Sequence, residues 1–381
     1  MEPVTHILTG ACLARTGFNR RAAYTTLAMA VAAELPDIDT LWSLRGPVEG
    51  FQHHRGITHT FLGLPFEAAL VVAAIYGLHR WRLARSQRVT GESSSPRKPL
   101  TAAPVRWGLL YLFTLLALLS HLLLDYTNNY GLRPFFPFNS HWYAASIVFI
   151  FDPLIFALLL GGLVLPALFR LVGSEVGARR QPFPGRGLAI AALLGIVSLW
   201  TLREVEHTRA IQLALAQSTV APSAPVVDPS ASADAPLAPP APPQSYLAPQ
   251  HVLANPDPLS PFHWSAVLDY GPFYQLAEID TRNGVVDLAD HTLPKPNRSA
   301  AVLAAEASPL GRAFIDWSPM PLIDAIQPEP FAPTRVIFRD PRFMGDVPML
   351  RSEDHTPLTA VVEIDSHNRV VGQIMDGREQ K

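Results

Sequence analysis

The sequence predicts a mainly α-helical transmembrane domain, with about four strong spans and an N-terminal helical hairpin, followed by a small α+β soluble domain. Three observations carry this. Apolar residues make up 49% of the 381-residue chain, and most of them fall before residue 215 in long runs. A stretch dominated by Pro, Ala and Ser follows over 216–250. Beyond it, apolar and polar residues mix as they do in soluble domains. The boundaries are therefore a membrane domain at 1–210, a linker at 216–250 and a soluble domain at 251–381.

Residues 61–78, 107–124 and 145–172 approach or reach the roughly 20 residues that cross a bilayer as a helix. Residues 187–202 form a shorter run of the same kind. The weaker pair 6–14 and 22–35, separated by Arg15-Thr-Gly-Phe-Asn-Arg-Arg21, reads as a helical hairpin embedded beside the others. The opening MEPVTHILTG has no basic region ahead of a long apolar stretch, so insertion is expected to come from the internal spans.

Orientation follows from Lys and Arg in the short loops. Arg80, Arg82, Arg85, Arg88, Arg97, Lys98 and Arg106 lie between the first two spans, and Arg170, Arg179, Arg180 and Arg186 lie in the next loop on that side. Both loops are expected in the cytoplasm, together with Arg15, Arg20 and Arg21. This leaves the C-terminal domain in the periplasm.

Net charge is −2, with no basic cluster interleaved with aromatics, so nucleic acid is excluded as a partner. Cys12 is the sole cysteine, which rules out an internal disulfide and a cysteine-rich zinc module. A bound metal must use His and carboxylates. The linker composition cannot bury enough surface to fold and predicts a polyproline-like spacer. Past it, 276–288 reads as strand, Asn283-Gly284 turn and strand, and 361–375 reads similarly around Asn368. The two share an echo, EIDTRNGVV and EIDSHNRVV.

Metal-binding side chains recur at the ends of the apolar runs: His6, then Pro36-Asp37-Ile38-Asp39, then His53-His54-Arg55-Gly56-Ile57-Thr58-His59, then His121-Leu-Leu-Leu-Asp125. The topology puts all of them at the outer face. His121 and Asp125 are four apart on a helix, so both project from one face and can ligate one ion. Asp37 and Asp39 sit in an extended turn after a helix-ending proline, where one can ligate or bridge while the other orients a histidine. Gly56 permits a tight turn that brings His54 and His59 to one centre. Single boxes of this kind are commonly interfacial histidines or helix caps, but four at one face, in residue types that bind hard or borderline divalent ions, point to a metal site. Glu67 and Asp152, each about 10 Å inside a span, should face the bundle interior, either in a structural hydrogen bond or near the metal. His53 and His141 are further candidate ligands.

These boxes carry a resemblance. An N-terminal His, a PDID box, an HRG-x-TH box and an H-x-x-x-D pair followed by a Tyr-Gly turn, here over 121–131, look like the signature of the YdjM-type family across roughly residues 1–210. That resemblance implies an inner-membrane, metal-dependent hydrolase. The pattern is also similar to that of the zinc phospholipase C and P1 nuclease superfamily, whose helical folds hold zinc with His and Asp from separate helices. It implies ligands at His121 and Asp125, and at His6, Asp37 and one or both of His54 and His59. The superfamily's later H-x-x-x-E pair is missing here, which implies one or two ions rather than three.

The expected reaction is hydrolysis assisted by a divalent ion, zinc by ligand type, with Asp37 or Asp39 as the base that orients water. A site at headgroup depth suits a phosphoester or phospholipid-like substrate in the membrane lipid. The rival expectation is a structural metal clamp, with the C-terminal domain binding an envelope protein. A transporter would show paired broken helices in two halves, and the sequence has no such internal repeat.

Overall fold

A computed structural model describes residues 1–89, 101–175, 183, 185–217, 219–220, 246–295, 298–329, 332–344 and 357–380. Its N-terminal part is helical: α1 (Pro3–Arg15), α2 (Thr25–Ala32), α3 (Pro47–His53), α4 (Leu64–Val89), α5 (Trp107–Thr127), α6 (Pro153–Glu175) and α7 (Arg186–Leu215). Helix α1 starts where the Glu2 carboxylate accepts the N–H groups of Val4 and Thr5 and Pro3 occupies the first turn. It is the central helix, touching α2, α5, α6 and α7. Gly10 sets its approach to α2, because a Cβ there would stand 2.2 Å from the Met29 carbonyl oxygen. At 13 and 8 residues, α1 and α2 are too short to cross a bilayer, and they pack as the expected hairpin.

Among the described residues, two to three of the four strong spans that the sequence suggests are matched by helices long and apolar enough to cross. Among the described residues, α5 and α7 are long and apolar enough to cross, and Pro47–His59 with Leu64–Ser86 adds a third only as one span bent by 83°. Two local features shorten the other runs. Within 61–78 the Gly63 N–H closes a turn onto the Thr60 carbonyl, so α4 begins only at Leu64. Within 145–172 the Ala145, Ile147 and Val148 N–H groups donate to the Tyr126 and Thr127 carbonyls instead of forming helix, and α6 begins at Pro153. Helix α6 runs over Pro153–Glu175, 23 residues, and its apolar stretch among the described side chains is Pro153–Phe169.

The depth expected for two acids changes with these boundaries. Glu67 lies in the first turn of α4. Asp152 immediately precedes α6, where its Oδ1 accepts the Leu154 and Ile155 N–H groups. Its Oδ2 meets Arg203 Nη2 of α7 at 2.9 Å, with both side chains fully buried. Asp152 is thus a helix cap and a buried ion-pair partner, the structural alternative of the two expected.

One face of α5 is covered and the other is bare. Leu110, Ala117, Leu118, His121 and Asp125 are buried, whereas Leu112, Leu116, Leu119, Leu123 and Tyr126 are exposed at helical spacing, as a lipid-facing stripe requires. The described residues that flank the basic loops lie at the end of the bundle away from His121. Arg20 donates to the Phe183 carbonyl and Arg186 to the Thr16 carbonyl, while His79 of α4 packs on Trp107 at the start of α5.

Most of segment 216–250 lies outside the described residues; at its ends β1 (Thr219–Val220) pairs antiparallel with β2 (Tyr246–Leu247). The remaining chain forms two antiparallel sheets. One has the order β3 (His251–Pro256), β4 (His263–Asp269), β5 (Phe273–Asp280), β6 (Val285–Pro294). In the second, β7 (Leu322–Ile326), β8 (Thr334–Arg339), β9 (Ala360–Ile364), β10 (Val370–Met375) and β11 (Arg378–Glu379) lie side by side, with α8 (Ala300–Glu306) and α9 (Pro309–Trp317) packed on it. The echoed motifs are matching hairpins. Asp280 Oδ1 accepts the Arg282 and Asn283 N–H groups before Gly284 at φ +69°, and Asp365 Oδ1 accepts the His367 and Arg369 N–H groups around Asn368 at φ 60°.

The C-terminal strands are not held off from the helices. The last turns of α7, with Ala210 and Ala214 buried, pack against the first sheet. Trp317 Nε1 donates to the Tyr130 carbonyl at 3.2 Å and Arg342 Nη1 to the Asn129 carbonyl at 2.6 Å. These contacts seat the domain on the turn that follows α5.

Candidate metal centre

Four chain segments meet where α5 ends. Helix α5 supplies His121 and Asp125, the 3₁₀ turns over Leu35–Arg45 supply Asp37 and Asp39, the turn over Ile57–His59 supplies His59, and α1 supplies His6. Pro36 stops the preceding helix and starts the tight turns, which places Asp37 and Asp39 on either side of His59. His59 Nε2 lies 3.2 Å from Asp37 Oδ1, and His59 Nδ1 lies 3.2 Å from Asp39 Oδ2.

Hydrogen bonds at the far ring nitrogens set the tautomers. His121 Nδ1 is 2.7 Å from the Ala33 carbonyl, which can only accept, so Nδ1 carries the proton and Nε2 turns its lone pair inward. His59 Nδ1 lies 3.1 Å from Thr58 Oγ1, which gives its own proton to Asp39 Oδ2, and 3.2 Å from that carboxylate, so Nδ1 carries the proton here too. The two Nε2 atoms face each other at 3.1 Å, with Asp125 Oδ2 at 3.4 Å from one and 3.5 Å from the other. Asp37, His59, His121 and Asp125 thus offer ligand atoms that all lie within 4.8 Å of one another.

Such a set of acceptors repels itself unless a cation or shared protons sit among them. Asp125 Oδ2 is buried with no hydrogen-bond partner among the described residues, and so are both ring nitrogens of His6. Two His nitrogens and two carboxylate oxygens fit a divalent ion of zinc type. His59, His121 and Asp125 are fully buried, and Asp37, with 12% of its side chain exposed, is the ligand that reaches solvent.

The surrounding groups brace this set. Arg55, with positive φ at 53°, donates from Nη2 to Asp125 Oδ1 at 2.9 Å and lies 4.7 Å over the Tyr130 ring. The Met1 amino group meets the same Oδ1. Asp39 is saturated: Oδ2 accepts from the Arg55 N–H at 2.7 Å, Thr58 Oγ1 at 3.3 Å and His59, and Oδ1 from His54 Nδ1 at 3.2 Å. Burial alone would raise the carboxyl of Asp39. Hydrogen bonds from His54 and His59 nevertheless hold Asp39 well below the usual carboxylate range.

The sequence-derived candidates therefore separate by position. Asp37, His59, His121 and Asp125 converge. His6 lies against them, stacked on His121 at 3.8 Å with Nε2 3.5 Å from Asp125 Oδ1. His54 reaches the set only through Asp39, its ring 6.1 Å from His59. His53 stacks on Trp42 at 4.2 Å, exposed His141 packs edge-on to Tyr143 at 4.6 Å, and Asp152 is engaged with Arg203. Glu67 has a buried Oε2 with no partner among the described residues, outside the converging set.

Two groups escaped the sequence reading. Arg55 stands inside the HRG-x-TH box, where attention to the histidines passed over it. Glu34, three residues before Asp37, has a buried Oε2 with no hydrogen-bond partner among the described residues, and burial, then the charges of Asp37 and Glu2, push its carboxyl up to about 8. Its adjacency to the PDID box was the available signal.

Residues 1–221 match the family described as YdjM inner membrane protein. A curated relative, the uncharacterized protein YfhP of Bacillus subtilis (strain 168), is 26% identical over 164 residues, covering 41% of this chain. The matched part spans 43% of that relative's length. No solved structure matches.

Proposed function

The chain belongs to the YdjM inner membrane protein family, and from that premise we propose that it is a membrane-bound, metal-dependent hydrolase acting on a phosphoester or phospholipid-like substrate. The observation that carries the reading is the convergence of Asp37, His59, His121 and Asp125 within 4.8 Å around inward lone pairs. These four residues, with His6 against them, would hold one or two ions. A divalent ion of zinc type supplies Lewis-acid polarisation of a phosphoryl oxygen and activation of water near neutral pH.

The chain's own groups have distinct tasks in this reading. Asp39 holds His59 in its tautomer, with both oxygens committed, and so acts as an orienting group rather than the base. Asp37, the exposed member, is the carboxylate that can take a proton from water at the mouth of the site. Arg55 keeps Asp125 ionised and aimed inward. The arginines of the short loops, with Arg20 and Arg186 at the end opposite the site, support a cytoplasmic placement for that end, and with it a periplasmic site and C-terminal domain.

The rival is a structural metal clamp, favoured by the complete burial of three of the four ligands, with the C-terminal domain binding an envelope partner. Hydrolysis of a panel of phosphomonoesters and phosphodiesters by the zinc-loaded protein in detergent separates the two. Turnover that falls about 100-fold or more in Asp37→Asn while its metal content stays that of the wild type supports the hydrolase with Asp37 as base. Stoichiometric metal with no turnover on any ester supports the clamp.

A further inference from the structure

A cleft of about 560 Å³ is lined by Asp39, Gly56 and Thr58, and so approaches the converging ligands through Asp39 and the turn that carries His59. One wall carries Trp42, with the Arg45 guanidinium 4.6 Å from its ring and His53 stacked on it. Arg133 and Phe136 line the same cleft. Arg133 is 9% exposed, and its Nε has no hydrogen-bond partner among the described residues. Its one hydrogen bond there is a long one, Nη1 to Asp316 Oδ2 at 3.4 Å.

The Asp316 carboxylate answers part of the charge through Nη1, but the buried Nε–H of this guanidinium is left without a partner among the described residues, a costly state that a further acceptor would relieve. The aromatic contacts address its faces alone: Trp142 lies 4.6 Å away and Phe136 5.1 Å. Stacking of that kind leaves the in-plane N–H edges free, and that edge is what binds phosphate with two parallel hydrogen bonds. Asp316 belongs to α9 of the C-terminal domain and also accepts Trp142 Nε1 at 3.0 Å, so one carboxylate fixes both the cation and the ring beneath it.

We propose that this cleft is the phosphate-binding subsite of the centre, with Arg133 as the group that grips the phosphate and Asp316 of the C-terminal domain as a positioning residue. The inference rests on the hydrolase reading for the role of the phosphate in turnover, and it gives the C-terminal domain a part in completing the site. Arg45 and His53 add positive or donor character at the mouth, and the neighbouring apolar furrow along Phe61, Leu123 and Phe135 runs beside the lipid-facing stripe of α5. The ligand chemistry is a phosphate ester, either free or as a lipid headgroup.

The test uses the full chain in non-ionic detergent with inorganic phosphate as the probe, measured by titration calorimetry beside metal content. Arg133→Gln is expected to weaken phosphate binding by about tenfold or more, the loss of a charge-assisted pair, with metal content unchanged. Arg133→Lys, which keeps charge but not the fork, is expected between the two, and it decides the matter should Arg133→Gln lose its metal through misfolding. Asp316→Asn is expected to raise KM for a phosphoester while leaving kcat near wild type. Phosphate affinity within twofold of wild type in both Arg133 variants overturns the proposal. Arg133-dependent phosphate binding without any hydrolysis leaves the subsite standing and removes the hydrolase, whereas hydrolysis with a KM indifferent to Arg133 does the reverse. Competition by glycerol 3-phosphate against monomeric dihexanoyl phosphatidate tells the sources apart: equal inhibition marks a soluble ester, and tighter inhibition by the lipid marks a headgroup.

Discussion

Asp39→Asn isolates the orienting role of a residue that touches the ligands without belonging to them. In the native protein its Oδ2 accepts from the Arg55 N–H at 2.7 Å and from His59 Nδ1 at 3.2 Å, and its Oδ1 accepts from His54 Nδ1 at 3.2 Å. Asparagine keeps the shape, but one of its two ends becomes a donor. The favoured placement turns the amide nitrogen towards His54, whose partly exposed ring can take the other tautomer and accept at Nδ1, and keeps the carbonyl on Arg55 and His59. His59 then loses an ionised partner for a neutral one, and charge-assisted hydrogen bonds are about twice as strong as neutral ones. Removing such support from a ligating histidine typically costs about 10–100-fold in metal affinity, or ~1.4–2.8 kcal/mol. Competition with a chromophoric zinc chelator on detergent-purified protein reads this directly, with circular dichroism as the control for fold. An affinity within twofold of wild type would refute the claim that Asp39 sets the His59 tautomer.

Two further outcomes follow from the frame that holds the site. Asp152→Ala strands the fully buried Arg203, so a loss of about 3–5 kcal/mol is expected in denaturant unfolding monitored in detergent; a loss under about 1 kcal/mol would mean that the pair is hydrated. Reporter fusions in the loop containing Arg80–Arg106 and at the C terminus should lie on opposite sides of the membrane, cytoplasmic and periplasmic; both on one side would remove the periplasmic placement of the site.

How much of this could be read from the sequence depends on the range of each interaction. The i, i+4 pair His121 and Asp125 and the short boxes around Asp37 and His59 are local, and their convergence needed only the helices to bring the boxes together. The span count was less legible because hydropathy does not distinguish a run that crosses lipid from one that folds back within the protein. Residues 145–148 satisfy their backbone on Tyr126 and Thr127, a partner no window of sequence reveals. The same holds for Asp152, whose cation is on α7. The C-terminal domain read well as strands, since its Asn-Gly and Asn turns are local signals. Its seating on Tyr130 through Trp317, and the reach of Asp316 to Arg133, depend on contacts across the chain and left no trace in composition.

The central claim is that His121 and Asp125 hold a metal together with Asp37 and His59. The most direct measurement is the metal content, by inductively coupled plasma mass spectrometry, of the purified full-length protein beside its His121→Ala and Asp125→Ala variants, each folded by circular dichroism. The account predicts stoichiometric divalent metal in the wild type and a near-complete loss in both variants. Folded variants that retain the wild-type metal content would contradict it.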